Sequence, residues 1–272
     1  MGCKIFCVGN QKGGVGKTTT SYNLGMGLIF KGKKVLFIDL DPQCDLTDQI
    51  GIDFSDESTK DKNILTLLTD NNGTKNVNAV DMIITKGKIN IIAGSEKAGE
   101  AETYIEKKKG NIDHNLSAKL KPLVEQNLFD YIIIDCPPSI ETLVRNAIVA
   151  STDIIMPIQA EEYAVKDSGK FIRFINSINN ELKEIGLPPK KFAGALMTMV
   201  DNRVKNAKEL EEGVRAELEK AEYTVFETII HRNSKVSQTL EGNQSIYEFA
   251  PNSVGAEDYA KFTLEILGQE GV

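Results

Sequence analysis

The chain has 272 residues, 41% hydrophobic and 26% charged, enough for the buried core of a large α/β domain, and its apolar runs are too short to span a bilayer. A formal net charge of −7 argues against generic adhesion to nucleic acid or anionic membrane, so any basic contact surface has to be local. Four cysteines, none in a C-x-x-C pair, and two histidines disfavour a zinc site and read as reduced, buried thiols. One domain over residues 1–272 is expected, in the cytoplasm, because the N-terminus enters a strand-like run at once and leaves no room for a secretory signal.

Taken in chain order, apolar runs of strand length alternate with amphipathic stretches of helix length, the pattern of parallel strands joined by crossover helices. The first run, Lys4 to Val8, leads into KGGVGKT and then a helix from Lys17 to about Phe30. A glycine-rich loop between strand and helix turns several backbone N–H groups toward one point, to which the helix N-terminus adds partial positive charge; a phosphate chain sits at such a point. Gly13, Gly14 and Gly16, with Val15 between them, let the backbone close on the phosphates. Lys17 reaches the outer phosphates, Thr18 offers a hydroxyl to Mg²⁺, and Thr19 meets the α-phosphate. Gln11 stands where G-x-x-x-x-G-K-[ST] has its first glycine, and a second lysine, Lys12, follows it. The residues alone leave Lys12 open as a solvated lysine or a functional one.

The second strand, Lys34 to Asp39, lies in VLFIDLDPQ and delivers Asp39 and Asp41 at its C-terminal end, the edge where open α/β sheets bind ligands. An ordinary acidic turn before Pro42 is the plain alternative. Gly51 to Asn115 is the least legible part: DFSDESTKDKN and TDNNGTKN read as polar loops, Ile89 to Ile92 as a strand, and EAETYIEKKKG as a solvated helix end. YIIIDCPPS supplies a strand from Tyr131 to Asp135, and an acid at such a tip holds a water of the Mg²⁺ shell in phosphate-loop enzymes. Beyond it come a helix from Ile140 to Ala150, a strand from Asp153 to Pro157, and a helix from Glu161 to Asn179. A strand from Phe192 to Met199, a helix from Asn206 to Lys220, a strand from Thr224 to Ile229 and a helix from Ala256 to Leu267 complete the chain. VLFID and YIIID are continuously apolar, as strands covered on both faces are. The fold class expected is α/β, a doubly wound, mostly parallel sheet flanked by helices on both faces.

KGGVGKTTT, VLFIDLDPQ, YIIIDCPPS and PIQAEEYAV, at their spacing, resemble the ParA/MinD group of deviant Walker A, P-loop ATPases. The stretch IIHRNSKVSQTLEGNQSIYEFAPNSVGAEDYAKF is similar to the C-terminal pattern of ParA-type partition proteins. The resemblance runs from about Lys4 to Leu267 and covers Gly51 to Asn115 poorly. It implies a Mg²⁺-dependent ATPase with ATP and Mg²⁺ as cofactors, working as a homodimer in the ATP state. Lys12 is then the signature lysine, reaching the phosphates of the partner's nucleotide, while Lys17 serves its own. Lys12, Lys17 and Asp41 form the catalytic set, with Asp41 positioning the attacking water. Asp39 lies close to the Mg²⁺ shell, to which Thr18 and Asp135 contribute. Adenine meets the stretch from Met197 to Asn202, with Met199 and Asp201 as contacts, and the stretch from His231 to Ser234.

The same resemblance implies DNA binding without sequence preference through Arg203, Arg232 and Lys235, with Lys205 and Lys208 as neighbours. It also implies a centromere-binding, ParB-like partner that stimulates hydrolysis, a nucleoid-associated location, and no membrane attachment. Two departures stand out. Cys44-Asp45 follows Pro-Gln where many relatives carry Gly-Asn, and the early first strand leaves no helix-turn-helix extension, so operator-specific repression is not expected. The alternative, a MinD-like membrane-associated regulator, needs a basic amphipathic C-terminal helix, whereas DYAKFTLEILGQEGV has Lys261 as its only basic residue. An iron–sulfur ATPase on this scaffold needs a second cysteine near Cys136 in a ligand position, and none is evident.

Overall fold

The computed structural model describes residues 2–56, 59–69, 77–107, 115–161, 164–201, 203 and 207–268. Eight strands form one sheet: β1 (Lys4–Val8), β2 (Val35–Asp39), β3 (Ile84–Lys86), β4 (Ile89–Ile92), β5 (Tyr131–Asp135), β6 (Asp153–Gln159), β7 (Lys191–Val200) and β8 (Val225–His231). Their order across the sheet is β3-β4-β2-β5-β1-β6-β7-β8. Every pairing is parallel except β3 with β4. The expected mostly parallel, doubly wound sheet is therefore the observed one, with an antiparallel edge strand that the sequence reading did not contain.

The continuous apolar runs divide their side chains between two cores. Ile5, Cys7, Leu36, Ile38, Ile132 and Ile134 face one, while Phe6, Val8, Val35, Phe37, Tyr131 and Ile133 face the other, the period of two that sends neighbouring residues to opposite faces of a strand. On the second face lies α1 (Lys17–Phe30), wedged between the sheet and α11 (Val254–Gly268). Its residues from Thr20 to Ile29 are all buried, so the body of KTTTSYNLGMGLIF lacks a charged stripe because no side of that stretch meets water.

Gly25 and Gly27 allow that fit. A Cβ on Gly25 would overlap the Phe37 ring, and one on Gly27 would overlap the Thr263 hydroxyl. Gly25→Ala gains up to about 1 kcal/mol of helix propensity but forces an overpacked contact costing about 1–3 kcal/mol. The clash dominates, so the variant is expected to unfold several degrees below the parent, at about 2–4 °C per kcal/mol. A thermal melt checks this; an equal or higher midpoint would mean that the α1–sheet contact can dilate freely.

The other face carries α4 (Ala98–Lys107), α5 (Asn115–Glu125), α6 (Thr142–Ala150), α7 (Ala164–Glu184) and α8 (Ala207–Lys220). Short helices α2 (Asp45–Ile50), α3 (Ile64–Thr69), α9 (Ser234–Gly242) and α10 (Ile246–Phe249), and a 3-10 turn over Ala79–Met82, complete the described elements. Most of TDNNGTKN, the end of EAETYIEKKKG, Asn202, Lys205 and Asn206 lie outside the described residues. All parallel strands point their C-terminal ends to one rim. The loops entering β2, β4 and β7 lie at the opposite rim and turn at Gly32, Gly87 and Gly186, each with positive φ and open space around its Cα.

Candidate functional site

Three adjacent strand ends meet at the C-terminal rim. In register, Val8 of β1 pairs with Asp135 of β5, and Asp135 pairs with Asp39 of β2. The glycine-rich loop leaves β1 here, and Gly14 (φ 72°) and Gly16 (φ 83°) take left-handed conformations that a side chain would disfavour. Gly16 is also the N-cap of α1. Neighbouring strands hold the loop. Asn10 Nδ2 donates to the Pro157 carbonyl at 2.8 Å, Gln159 Nε2 to the Gly14 carbonyl at 3.0 Å, and Thr198 Oγ1 to the Val15 carbonyl at 2.8 Å.

The two loop lysines diverge. Lys17 is buried, and its Nζ donates to the Lys12 carbonyl at 3.3 Å, across the mouth of the loop. Burial lowers its pKa, and the charges of Asp135 and Asp41 oppose that shift. Lys12 instead extends over the surface, where its Nζ lies 2.6 Å from Glu161 Oε2.

Behind the loop, Asp135 is fully buried. Thr18 Oγ1 donates to one of its oxygens at 2.7 Å and Ser21 Oγ to the other at 2.8 Å. Ser21 lies one turn beyond Lys17, which puts both on the loop-facing side of α1. Burial, with the Asp39 charge next in weight, pushes Asp135 up to about 8, against the pull of the two hydroxyls and Lys17. Asp39 is equally buried. Its Oδ2 accepts the Thr47 hydroxyl at 2.6 Å and the Thr47 N–H at 3.0 Å, and its Oδ1 accepts the Asp41 N–H at 3.1 Å. Burial raises it to about 6 despite these donors. Asp41 is buried, with Oδ1 accepting the Gln43 N–H at 3.0 Å. Cys44 follows in a left-handed conformation, φ 57°, as the N-cap of α2, a place that suits glycine.

A cavity of about 670 Å³ opens beside the loop. Gly16 and Thr19 form its phosphate-loop side; Thr198, Met199, His231, Arg232 and Asn233 are among its other walls. Both stretches expected to meet a base thus converge on the loop. Irregular pairing between β7 and β8 opens the space, and Met199 stands there with φ 55°, the kind of strained backbone that collects at binding sites. Asp201 lies just outside, paired with Arg203 at 2.7 and 2.8 Å, a contact that pulls its pKa down to about 2.

Arg203 and Arg232 are exposed and line this cavity rather than a separate surface. Lys235 is exposed in the first turn of α9, with Nζ 5.8 Å from the Phe249 ring centre, and Lys208 is exposed on α8. The sequence reading gave no site role to Ser21, Thr47, Gln159, Glu161 or Tyr259, and reached Thr198 only within the stretch expected to meet adenine. Ser21 had a readable signal in its one-turn spacing from Lys17.

Comparison with known proteins follows the same motifs. The family described as AAA domain matches residues 3–185. The sporulation initiation inhibitor protein Soj of Bacillus subtilis is 32% identical over 97% of this chain and 98% of its own length. The chromosome partitioning protein ParA of Myxococcus xanthus is 30% identical, over 98% and 89%. Among solved structures, cobyrinic acid a,c-diamide synthase from Mycobacterium smegmatis, with a bound ATP analogue and magnesium, superposes with a TM-score of 0.78 at 28% identity, covering 97% of this chain and 94% of that one. Similarity of this extent reaches across the loop, both acidic strand tips and the cavity wall, and it places the chain in the ParA/MinD family of P-loop ATPases.

Proposed function

We propose that this chain, acting as one domain over residues 1–272, is an ATP-hydrolysing DNA-segregation protein. It dimerises with ATP and Mg²⁺, binds DNA without sequence preference in that state, and lets go after hydrolysis stimulated by a ParB-like centromere-binding protein. The divergence of the two loop lysines carries this reading. Lys17 lies inside the loop, where its own phosphates would displace the Lys12 carbonyl as partner. Lys12 points away from that loop interior, to Glu161 on the surface, and is assigned here to a second subunit's nucleotide. Its pairing with Glu161 is half-exposed and is worth about 0–1 kcal/mol.

The donor set fits the cofactors. Gly13, Gly14, Val15, Gly16, Thr18 and Thr19 offer backbone N–H groups at a helix N-terminus, the arrangement that favours a phosphate chain. Thr18 Oγ1 and Asp135, 2.7 Å apart, are hard oxygen donors suited to an ion that keeps several waters and binds phosphate as well. When bound, Mg²⁺ neutralises charge on the outer phosphates. Asp41 orients the attacking water, and Asp39, held by Thr47, keeps the β2 tip in place. Met199 and the His231–Ser234 stretch hold the nucleoside end.

Among the described residues, no helix is long and apolar enough to cross a membrane. For DNA, Arg203, Arg232 and Lys235 supply the contacts, doubled by dimerisation so that ATP controls affinity. The test is binding to unrelated duplexes with ATP, with ADP and across a salt series. Binding is expected with ATP only, falling steeply with salt, and Lys235→Glu, exposed outside the cavity, should weaken all sequences alike and flatten the salt slope by about 1 per subunit. Equal binding with ADP, or none with either nucleotide, would remove the segregation reading.

A further inference from the structure

The β8 end of the cavity holds a pair that phosphate binding does not use. His231 lines the cavity with a quarter-exposed side chain, and its Nδ1 lies 2.9 Å from Asp258 Oδ2. The same carboxylate oxygen accepts the His231 backbone N–H at 2.9 Å. Asp258 sits on α11 and is buried. The imidazole is therefore held from behind by a fixed acceptor. In its neutral form the ring carries its proton on Nδ1, toward Asp258, and Nε2 is a lone-pair acceptor.

Three other polar side chains on the cavity wall are engaged. Thr198 Oγ1 donates to the loop, Asn233 Oδ1 accepts the Lys235 N–H as a helix cap, and Tyr259 OH meets Thr20 Oγ1 at 3.4 Å. Met199, Ile230 and Val236 add apolar surface against which a flat ring can lie. A pocket of this kind fixes its ligand by few polar groups, so one oriented acceptor decides much.

We propose that His231, oriented by Asp258, selects the nucleobase: Nε2 accepts a hydrogen from the exocyclic amine of a 6-aminopurine and opposes the carbonyl of a 6-oxopurine. This rests on the ATP-binding reading above. His231 determines specificity, and Asp258 is a positioning residue that acts by holding the tautomer. Sites that hydrogen-bond a ligand group reject the analogue lacking it, because the site's own polar atom is then left unpaired.

The experiment compares Mg²⁺-dependent affinities for ATP, GTP and purine riboside triphosphate, which lacks the 6-amino group. The wild type is expected to favour ATP over purine riboside triphosphate about tenfold, equivalent to 1.4 kcal/mol. In His231→Phe that ratio falls to about 1–2 while purine riboside triphosphate affinity holds. His231→Gln, whose amide oxygen can accept, keeps part of the preference. Asp258→Ala removes the acceptor that holds Nδ1–H, so both tautomers populate and the ATP-to-GTP ratio falls. A wild type that ignores the 6-amino group, or a folded His231→Phe that keeps the full ratio, overturns the proposal while ATP binding stands. Should His231→Phe not fold, an unchanged ATP-to-GTP ratio in Asp258→Ala overturns it instead. No binding of any triphosphate by the wild type overturns the ATP reading and this proposal with it.

Discussion

Lys12→Ala is expected to reduce ATP turnover about 10³-fold while leaving the single chain's affinity for Mg²⁺ and ATP within a few-fold of the parent. Trans-acting cations in phosphate-loop systems are worth about 10³–10⁵ in turnover, and a lysine falls at the low end because an ammonium cannot bind bidentately as a guanidinium does. Affinity is spared because the cradle, Lys17 and the Thr18–Asp135 pair are untouched, and the Lys12 atom that contacts Lys17 is a backbone carbonyl, which alanine retains. Lys17→Ala is the contrast, and should lose nucleotide binding outright. Sedimentation with ATP adds a second readout: the Lys12 variant should stay monomeric where the parent dimerises. Normal turnover by Lys12→Ala would remove the shared-lysine mechanism. Loss of binding would mean that Lys12 serves its own nucleotide.

Asp135→Asn is expected to raise the melting temperature of the nucleotide-free protein at pH 8 and to abolish Mg²⁺-dependent turnover. The sign follows from burial. Asp135 is pushed from an ordinary 3.8 to about 8 in the fold, so the folded state keeps a proton that the unfolded chain gives up. Its contribution is then most favourable below pH 4 and is lost progressively as pH rises from about 4 to about 8. Asp39, raised to about 6, adds to the loss over the lower half of that window. At 1.36 kcal/mol per unit, a few kcal/mol are at stake. Asparagine cannot ionise and can still pair with the Thr18 and Ser21 hydroxyls, which donate or accept. A gain of roughly 5–10 °C at pH 8, shrinking toward pH 4.5, is the expected melt. A variant no more stable than the parent at pH 8 would mean that the parent's fold pays nothing for this charge.

The legible parts of the chain were those where several local signals agree. Lys17–Phe30 and Tyr131–Asp135 were read to the residue, because a phosphate loop fixes where α1 starts and an acid after three isoleucines marks the end of β5. The β3 strand escaped because three residues at an edge carry no usable periodicity. The α5 helix escaped behind Pro122, although Leu116, Leu120 and Leu123 fall on one buried face. The α9 helix carried a readable start in Asn233, whose side chain caps Lys235 N–H. At the site, the motif residues were visible, but the groups that hold them were not. Thr47 reaches Asp39 over eight positions, Thr198 reaches Val15 over 183, and Glu161 reaches Lys12 over 149. Contacts of that sequence separation exist only once the sheet order is known.

The glycine turns at the rim where strands begin bear on how this protein could be watched. The loop from Ile185 to Pro189 is exposed throughout and leads into the start of β7, a full strand length from the loop, the acids and the cavity. A fluorophore or a small fusion joined at Pro188–Pro189 would sit beyond the cap that the Gly186 and Leu187 N–H groups make on the Lys183 and Leu182 carbonyls, in exposed backbone. Such a label would report where the molecule travels in a living cell while leaving both its nucleotide and its proposed DNA-facing arginines unencumbered.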